Sequence, residues 1–277
     1  MKRILVPCDF SEPSVQGIKF AVEIAAKSSG LVMLLHILEV PVMHDTMMMP
    51  VLNFETSFFN ELKMKAEKHL TKLKTKFEKE SVKIQSFIEI GPVQKTIERI
   101  AEEKRADLII MGTHGTAGLM ESFIGSNTEK VVRFSTVPVI AIHQSAKLSK
   151  IKNIIFPTTM EKNQTPLVSQ IKKLQAFFSA TLHLLMVNTP ANLKRTADEK
   201  QLIEAFAKQH HLADYTVNTR NDFTVEAGIV NFAHEVKADM IAMGTHGRKG
   251  LSHLFLGSIA ENVVNRITCP TWTYVEK

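Results

Sequence analysis

Two glycine-rich segments with identical spacing are the strongest chemical signal in this sequence. The pattern Gly-x2-Gly-x9-Gly-Ser occurs twice, with Gly112, Gly115, Gly125 and Ser126 in the first segment and Gly244, Gly247, Gly257 and Ser258 in the second. Glycine has no Cβ atom, so the backbone can approach a ligand closely there. A Gly-Ser pair that opens a helix adds unpaired amide N–H groups and a hydroxyl, which together favour phosphate. The spacing matches neither the Walker A loop nor the dinucleotide-binding fingerprint.

The two segments belong to a long internal repeat. Asp107–Gly115 returns as Asp239–Gly247 at an offset of 132, and Arg3–Pro7 returns as Asn153–Pro157 at an offset of 150. The difference between the offsets means that the first repeat carries an insertion, which falls around residues 42–60. Repeats of this length are complete structural units. We therefore predict two domains, residues 1–146 and residues 147–277.

Each repeat alternates short apolar runs with longer amphipathic segments. The apolar runs of the first repeat predict strands at 3–6, 31–38, 82–88, 108–111 and 138–142, and those of the second predict strands near Ile154, Leu182, Tyr215, Met240 and Trp272. Strands separated by helices pair in parallel and carry helices on both faces of the sheet. The sequence thus predicts two doubly wound, five-stranded, Rossmann-like α/β domains. Such sheets bind ligands at the carboxyl ends of the strands, where the strand order reverses.

Composition narrows the class of protein. The 277 residues are 44% hydrophobic and 22% charged, and no apolar run is long enough to predict a membrane span. Two cysteines cannot build a disulfide framework and fit a reducing compartment, so we expect a cytoplasmic protein. The net charge of +6 is modest and only 7% of residues are aromatic, which does not favour nucleic acid as a partner. Anionic small ligands fit the charge equally well.

The repeated glycine pattern and its surroundings resemble the ATP-binding branch of the universal stress protein family, here as two family domains in tandem. The likeness covers nearly the whole chain and implies an adenine nucleotide alpha hydrolase-like fold, ATP or a related nucleotide as ligand, with or without Mg²⁺, and a role in stress survival. Family members often dimerise through their last strands. The resemblance therefore implies an internal pseudo-dimer in which residues 137–142 meet residues 270–275, with further homodimerisation left open.

The resemblance also assigns binding roles by position. In the first repeat it implies that Asp9, after Pro7 at the end of the first strand, contacts the nucleoside, and that Val40 and Met111 help to form the adenine pocket. The residues implied for the phosphate cradle are Gly112, Gly115, Gly125, Ser126 and Asn127, and His114 is counted with the nucleotide site. The nucleotide-site residues implied for the second repeat are Met243, which corresponds to Met111, and Gly244, Gly247, Arg248, Gly257 and Ser258.

The second repeat departs from this pattern at one position. Alignment of Pro7 with Pro157 places Thr159 opposite Asp9. A threonine cannot accept two hydrogen bonds from ribose hydroxyls as a carboxylate does, and losing a charge-assisted bond costs about 1.5–3 kcal/mol. Two interpretations stay open: the second site binds nucleotide more weakly, or it holds a different anion.

Three other sequence features contain residue types that could bind a metal or take part in catalysis. His114 and His246 occupy the same place in both motifs, where they could act as bases, but no matching nucleophile is apparent and ordering of the loop is the simpler interpretation. The methionine-rich stretch 43–49 could bind Cu(I), although a lid or a protein interface is more typical of such clusters. Cys8 borders the predicted pocket, either as a buried thiol or as a site sensitive to alkylation.

The leading hypothesis from the sequence is a nucleotide-binding regulatory protein that changes its state or its protein partner when the nucleotide is bound. One alternative is a slow ATP hydrolase, but phosphoryl transfer needs a positioned set of metal and cationic groups that neither repeat shows in full. A second alternative is a binder whose second domain holds a non-nucleotide anion.

Overall fold

A computed structural model describes residues 1–39, 52–78, 82–113, 126–143, 145–161, 164–191, 196–246 and 253–276. The chain divides into two compact units, Met1–Met111 and Gly112–Lys277. The predicted domain limits follow the sequence repeat and not this division, so they stay a prediction.

The first unit is built on four parallel strands. Its elements are β1 (Arg3–Pro7), α1 (Glu12–Ser28), β2 (Leu31–Leu38), α2 (Leu52–Phe77), β3 (Lys83–Ile90), α3 (Val93–Glu103) and β4 (Leu108–Gly112), the last of which ends one residue beyond the unit. The strand order is β3-β2-β1-β4. Because β1 pairs with β2 on one side and with β4 on the other, the direction of winding reverses beside the end of β1.

The second unit contains the end of the first repeat and all of the second. Its elements are α4 (Ser126–Phe134), β5 (Val139–Ile142), a short 3-10 helix (Leu148–Lys150), β6 (Asn153–Pro157), α5 (Thr165–Phe178), β7 (Thr181–Asn188), α6 (Thr196–Gln209), β8 (Tyr215–Asn221), α7 (Val225–Glu235), β9 (Met240–His246), α8 (His253–Arg266) and β10 (Thr271–Glu276). The strand order is β5-β10-β9-β6-β7-β8. Strand β6 pairs with β7 on one side and with β9 on the other. The direction of winding therefore reverses between β6 and β9.

Local sequence explains where the first helix begins and ends. Ser11 caps α1 by accepting a hydrogen bond from the Ser14 amide at 3.4 Å, and Pro13 lies in the first turn, where its missing N–H costs nothing. Ser29 ends the helix in the left-handed conformation, with φ of 51°. Ser179 ends α5 in the same conformation with φ of 53°. Both ends fit the offset of 150 between the repeats.

The aspartates that open the repeated motif have a structural role. The Oδ2 atom of Asp107 accepts hydrogen bonds from the amides of Lys2 and Arg3 at 2.7 and 3.0 Å. Asp239 does the same for the amides of Lys152 and Asn153, both at 2.9 Å. Each carboxylate therefore ties the start of one strand to its neighbour, at the end of the sheet opposite the predicted ligand site.

The last strands of the two repeats pair, as predicted. Strand β10 runs antiparallel to β5, with Trp272 opposite Ile140 and Thr273 opposite Val139. Trp272 is 1% exposed and stacks on the ring of Tyr274, with 6.1 Å between ring centroids. The pairing gives β10 a neighbour on each side, because it also runs parallel to β9.

Equivalent glutamates of the two repeats meet where α4 packs against α8. Glu261 follows Glu129 at the offset of 132, and both side chains are half-buried. Burial raises the pKa of Glu261, and the charge of Glu129 and a hydrogen bond with it raise that pKa further, against a smaller opposite effect of Arg133. Ionisation of Glu261 is therefore unfavourable in the folded protein.

We expect Glu261→Gln to stabilise the protein at neutral pH. When folding raises the pKa of an acid, the free energy of unfolding falls as the pH rises from the pKa of the unfolded state through that of the folded state. The loss of stability is complete at pH values above both pKa values. The gain should be on the order of 0.2–1 kcal/mol at pH 7.5 and should vanish near pH 3.5, in urea denaturation at the two pH values. Glu129→Gln should give a smaller gain with the same sign, because it removes the repelling charge but leaves Glu261 half-buried. Equal gains at both pH values would show that charge is not the cause.

Candidate functional site

In the first unit, Asp9 lies just past the end of β1 on an exposed turn. Its Oδ1 atom accepts hydrogen bonds from the Ser11 amide at 3.0 Å and from the Ser11 hydroxyl at 2.5 Å. Partial burial alone would raise the pKa of Asp9, but these hydrogen bonds outweigh it and hold the pKa below its ordinary value. The carboxylate is therefore ionised at neutral pH and is accessible to a ligand.

An aromatic cluster fixes the turn that carries Asp9. Phe10 has φ of 68°, a conformation uncommon for a residue with a side chain. Its ring lies 4.4 Å from the ring of His36 on β2 and 5.0 Å from that of His69 on α2, between centroids. His36 Nδ1 also lies 2.8 Å from the Cys8 carbonyl oxygen. These contacts hold the strand end on both sides of Asp9, and nothing in the sequence pattern points to Phe10, His36 or His69.

The structure places the predicted residues of the first repeat unevenly. In the first unit, Pro7 ends β1 and Met111 lies one residue before the end of the neighbouring strand β4, where it is 6% exposed. In the second unit, Ser126 is the first described residue of α4, and Asn127 follows it with a half-buried side chain. The predictions for Val40, His114, Gly115, Gly125 and the methionine-rich stretch 43–49 lie outside the described residues.

In the second repeat the same turn carries different side chains. Met160 has φ of 61° and corresponds to Phe10 at the offset of 150, so the backbone of the turn is retained. The Thr158 hydroxyl donates a hydrogen bond to Gln164 Oε1 at 2.6 Å, and Gln164 Nε2 donates one to the Thr159 hydroxyl at 3.4 Å. Gln164 thus joins the two threonines that replace Cys8 and Asp9.

A cavity of about 340 Å³ lies beside this turn, at the carboxyl ends of the strands where the winding reverses. We call it the second-repeat cavity; it is bounded by Thr159, Gln164, Leu167, Val187, Ile229 and Met243, among others. Pro157 and Gly244, which match Pro7 and Gly112, also line it. The structure therefore brings together Met243 and Gly244, both predicted for the second site.

Leu167 changes the surroundings of the motif glycine in this repeat. A Cβ atom added to Gly244 would lie 2.5 Å from Leu167 Cδ2, so the leucine packs directly on the glycine. At the offset of 150, the first repeat has the buried Gly17 in place of Leu167. The packing of Leu167 on Gly244 thus accounts for the glycine at this position.

The helix that follows the second glycine motif contains the Gly-Ser pair. Helix α8 starts at His253, so Gly257 and Ser258 lie within its backbone and not at its first residue. Amides inside a helix are used by the helix itself, which leaves them unavailable to an anion. The predicted Gly247 and Arg248 lie outside the described residues.

Neither cysteine is expected to be a nucleophile. Burial raises the pKa of Cys8, which is 4% exposed, and burial raises the pKa of Cys269 to about 12. We predict that at pH 8 both thiols react with Ellman's reagent at least about tenfold more slowly than in the unfolded chain, because the thiolate is the reactive form. Denaturant should then release two thiols per chain. Fast reaction of one thiol in the native protein would contradict this.

The described part of the chain lacks two kinds of feature. No helix there has both the length and the apolar character needed to cross a membrane. No group of three or more His, Cys, Asp or Glu side chains is placed to hold a metal ion within those residues.

The topology and the position of these sites define a class: doubly wound α/β proteins with a ligand-sized site at the switch point of a parallel sheet. The chain belongs to the universal stress protein family, whose model matches residues 1–143 and again residues 150–274. The two matches establish the tandem arrangement.

Individual relatives agree with this assignment. Universal stress protein MJ0577 of Methanocaldococcus jannaschii is 30% identical over 152 residues, which cover 51% of this chain and 94% of the relative. Universal stress protein YxiE of Bacillus subtilis is 28% identical over 144 residues, covering 50% and 97%. The crystal structure of a universal stress protein from Archaeoglobus fulgidus covers 99% of this chain and 98% of its own, with a TM-score of 0.80 and 20% identity. The last likeness confirms the fold over the full tandem length.

Proposed function

We propose that this chain is a cytoplasmic, nucleotide-binding regulatory protein of the stress response that holds ATP, ADP or AMP in its first repeat. The observation that carries the proposal is the ionised Asp9 carboxylate at the switch point, with its turn fixed by Ser11. One oxygen of the carboxylate anchors the turn, and the group as a whole stays accessible as an acceptor for hydroxyl groups.

The remaining parts of the proposal follow the family resemblance. The glycine loop of residues 112–127 would supply amides for the phosphates, and Mg²⁺, when present, would accompany them. The domain limits are 1–146 and 147–277, and the pairing of β5 with β10 supports an internal pseudo-dimer. Occupancy would change the affinity for a protein partner.

The direct test is the nucleotide content of freshly purified protein, released by acid and quantified per chain by chromatography. We expect about one adenine nucleotide per chain. Two per chain would mean that the second repeat also binds nucleotide. None, together with no ATP binding by calorimetry, would overturn the proposal.

A slow ATP hydrolase is the second candidate function. Measurement of phosphate release with Mg²⁺ under single-turnover conditions distinguishes a hydrolase from a protein that only binds the nucleotide. Regulatory binding predicts that bound ATP is recovered intact over the time needed for repeated exchange. Turnover that is lost in Asp9→Ala would favour the hydrolase.

A further inference from the structure

The second-repeat cavity has the size and lining of a small-molecule site. Its volume of about 340 Å³ lies at the lower end of the range of roughly 300–1,000 Å³ that is usual for ligand pockets. Side chains of Leu185, Val187, Ile229 and Met243 give it apolar walls, and all four are 9% exposed or less. Burial of apolar ligand surface is therefore the main source of affinity that it offers.

The polar groups of the cavity are few and already hold partners within the protein. Gln164, which is 6% exposed, joins Thr158 and Thr159. Asn188, which is 2% exposed, donates from Nδ2 to Asn221 Oδ1 at 3.0 Å. These groups can accept or share one or two further hydrogen bonds, which suits a ligand with a single polar end.

The charge of the lining residues that the structure describes opposes an anion. Among the described residues that line the cavity, Glu161 is the charged one, and its side chain is exposed. An anion would lose hydration on entering the apolar walls without a cation from those residues, and it would face a carboxylate at the rim. A nucleotide would also meet Leu167 packed on Gly244 and a helix that begins before Gly257.

We propose that the second-repeat cavity binds an uncharged, largely apolar small molecule with one hydrogen-bonding group. The inference goes beyond the proposed function, and it does not depend on nucleotide binding by the first repeat. It makes the two repeats a pair of unlike sensors, one for a nucleotide and one for an apolar ligand.

A matched pair of fluorescent probes tests the chemical class. N-phenyl-1-naphthylamine is uncharged, and 1-anilinonaphthalene-8-sulfonate has the same ring system with an added sulfonate. We expect saturable binding of one uncharged probe per chain, with affinity at least about tenfold above that of the sulfonate. Glu161→Gln should strengthen binding of the sulfonate severalfold and leave the uncharged probe unchanged. Equal affinities, or a preference for the sulfonate, would overturn the proposed class.

A matched pair of variants tests the location. Val225 lines the cavity at the start of α7, and Val93 is its counterpart at the start of α3, at the offset of 132. Val225→Phe should fill the cavity and weaken the uncharged probe about tenfold or more, whereas Val93→Phe should leave it unchanged. Loss of binding in Val93→Phe, or none in Val225→Phe, would place the probe elsewhere and overturn the proposal.

Competition between ATP and the uncharged probe distinguishes a failure of this inference from a failure of the proposed function. Saturating ATP should not displace the uncharged probe from the wild-type chain or from Asp9→Ala. Displacement in both would mean that the second repeat takes nucleotide and would overturn this inference alone. Loss of ATP binding in Asp9→Ala with the probe still bound would leave both proposals standing.

Discussion

Replacing Asp9 with alanine is expected to weaken adenine-nucleotide binding by about 10- to 100-fold. The substitution removes an ionised acceptor, and a hydrogen bond to a charged group contributes about 1.5–3 kcal/mol, which corresponds to one to two decades of affinity. Isothermal titration with ATP, after removal of copurified nucleotide, measures the change directly. Thr159→Ala is the matched control at the corresponding position of the second repeat, and it should leave this affinity unchanged.

A second substitution separates the charge of Asp9 from its structural contacts. Asp9 Oδ1 accepts two hydrogen bonds from Ser11, so alanine also loosens the start of α1. Asp9→Asn retains an oxygen for those bonds and removes the charge. An affinity loss in Asp9→Ala with none in Asp9→Asn would mean that the turn matters and the carboxylate does not. Equal affinity in Asp9→Ala and the wild type would remove Asp9 from the site.

Two sequence features made parts of the fold and of the site predictable: the internal repeat, and the position of residues just past the ends of the predicted strands. The offset of 132 relates Asp107 to Asp239, and it correctly makes β4, which pairs with β1, the counterpart of β9, which pairs with β6. Residues just past β1 were candidates because parallel strands gather their carboxyl ends at one edge. The family resemblance implied that the last strands of the repeats meet, and the pairing of β5 with β10 confirms it; the structure adds that this pairing is antiparallel.

The parts that could not be predicted depend on contacts between distant side chains. Phe10 packs between His36 and His69, which lie on separate elements, and such a contact leaves no period in the sequence. The packing of Leu167 on Gly244 joins residues far apart in the chain. The substitution of Gly17 by Leu167 is visible in an alignment of the repeats, but the aligned letters do not show that the leucine meets the motif glycine.

The position of the second Gly-Ser pair is another feature that the motif did not indicate. The pair was expected to open a helix, yet Gly257 and Ser258 lie inside α8, which begins at His253. Spacing fixes the separation of residues along the chain, whereas a helix start depends on which preceding residues can also adopt helical geometry.

Replacing Trp272 with alanine should lower the free energy of unfolding by about 3–5 kcal/mol, because truncation of a fully buried aromatic side chain loses its transfer free energy and leaves a cavity. Trp272 is 1% exposed, pairs with Ile140 across β5 and β10, and stacks on Tyr274. Urea denaturation followed by circular dichroism measures the loss, since the variant has no tryptophan to report by fluorescence. Phe223→Ala is the matched control, because that ring is 88% exposed and its removal should change stability by less than about 0.5 kcal/mol.

The same variant should show where the stability is lost. Strand β5 has four residues, and its register with β10 includes the pair Ile140 and Trp272. Without the indole, hydrogen exchange at the amides of residues 139–142 should accelerate more than exchange in β7, which pairs with β6 and β8 away from the substitution. Uniform acceleration across the second unit would mean that the tryptophan supports global stability alone. A loss below about 1 kcal/mol would contradict a well-packed junction between the last strands of the repeats.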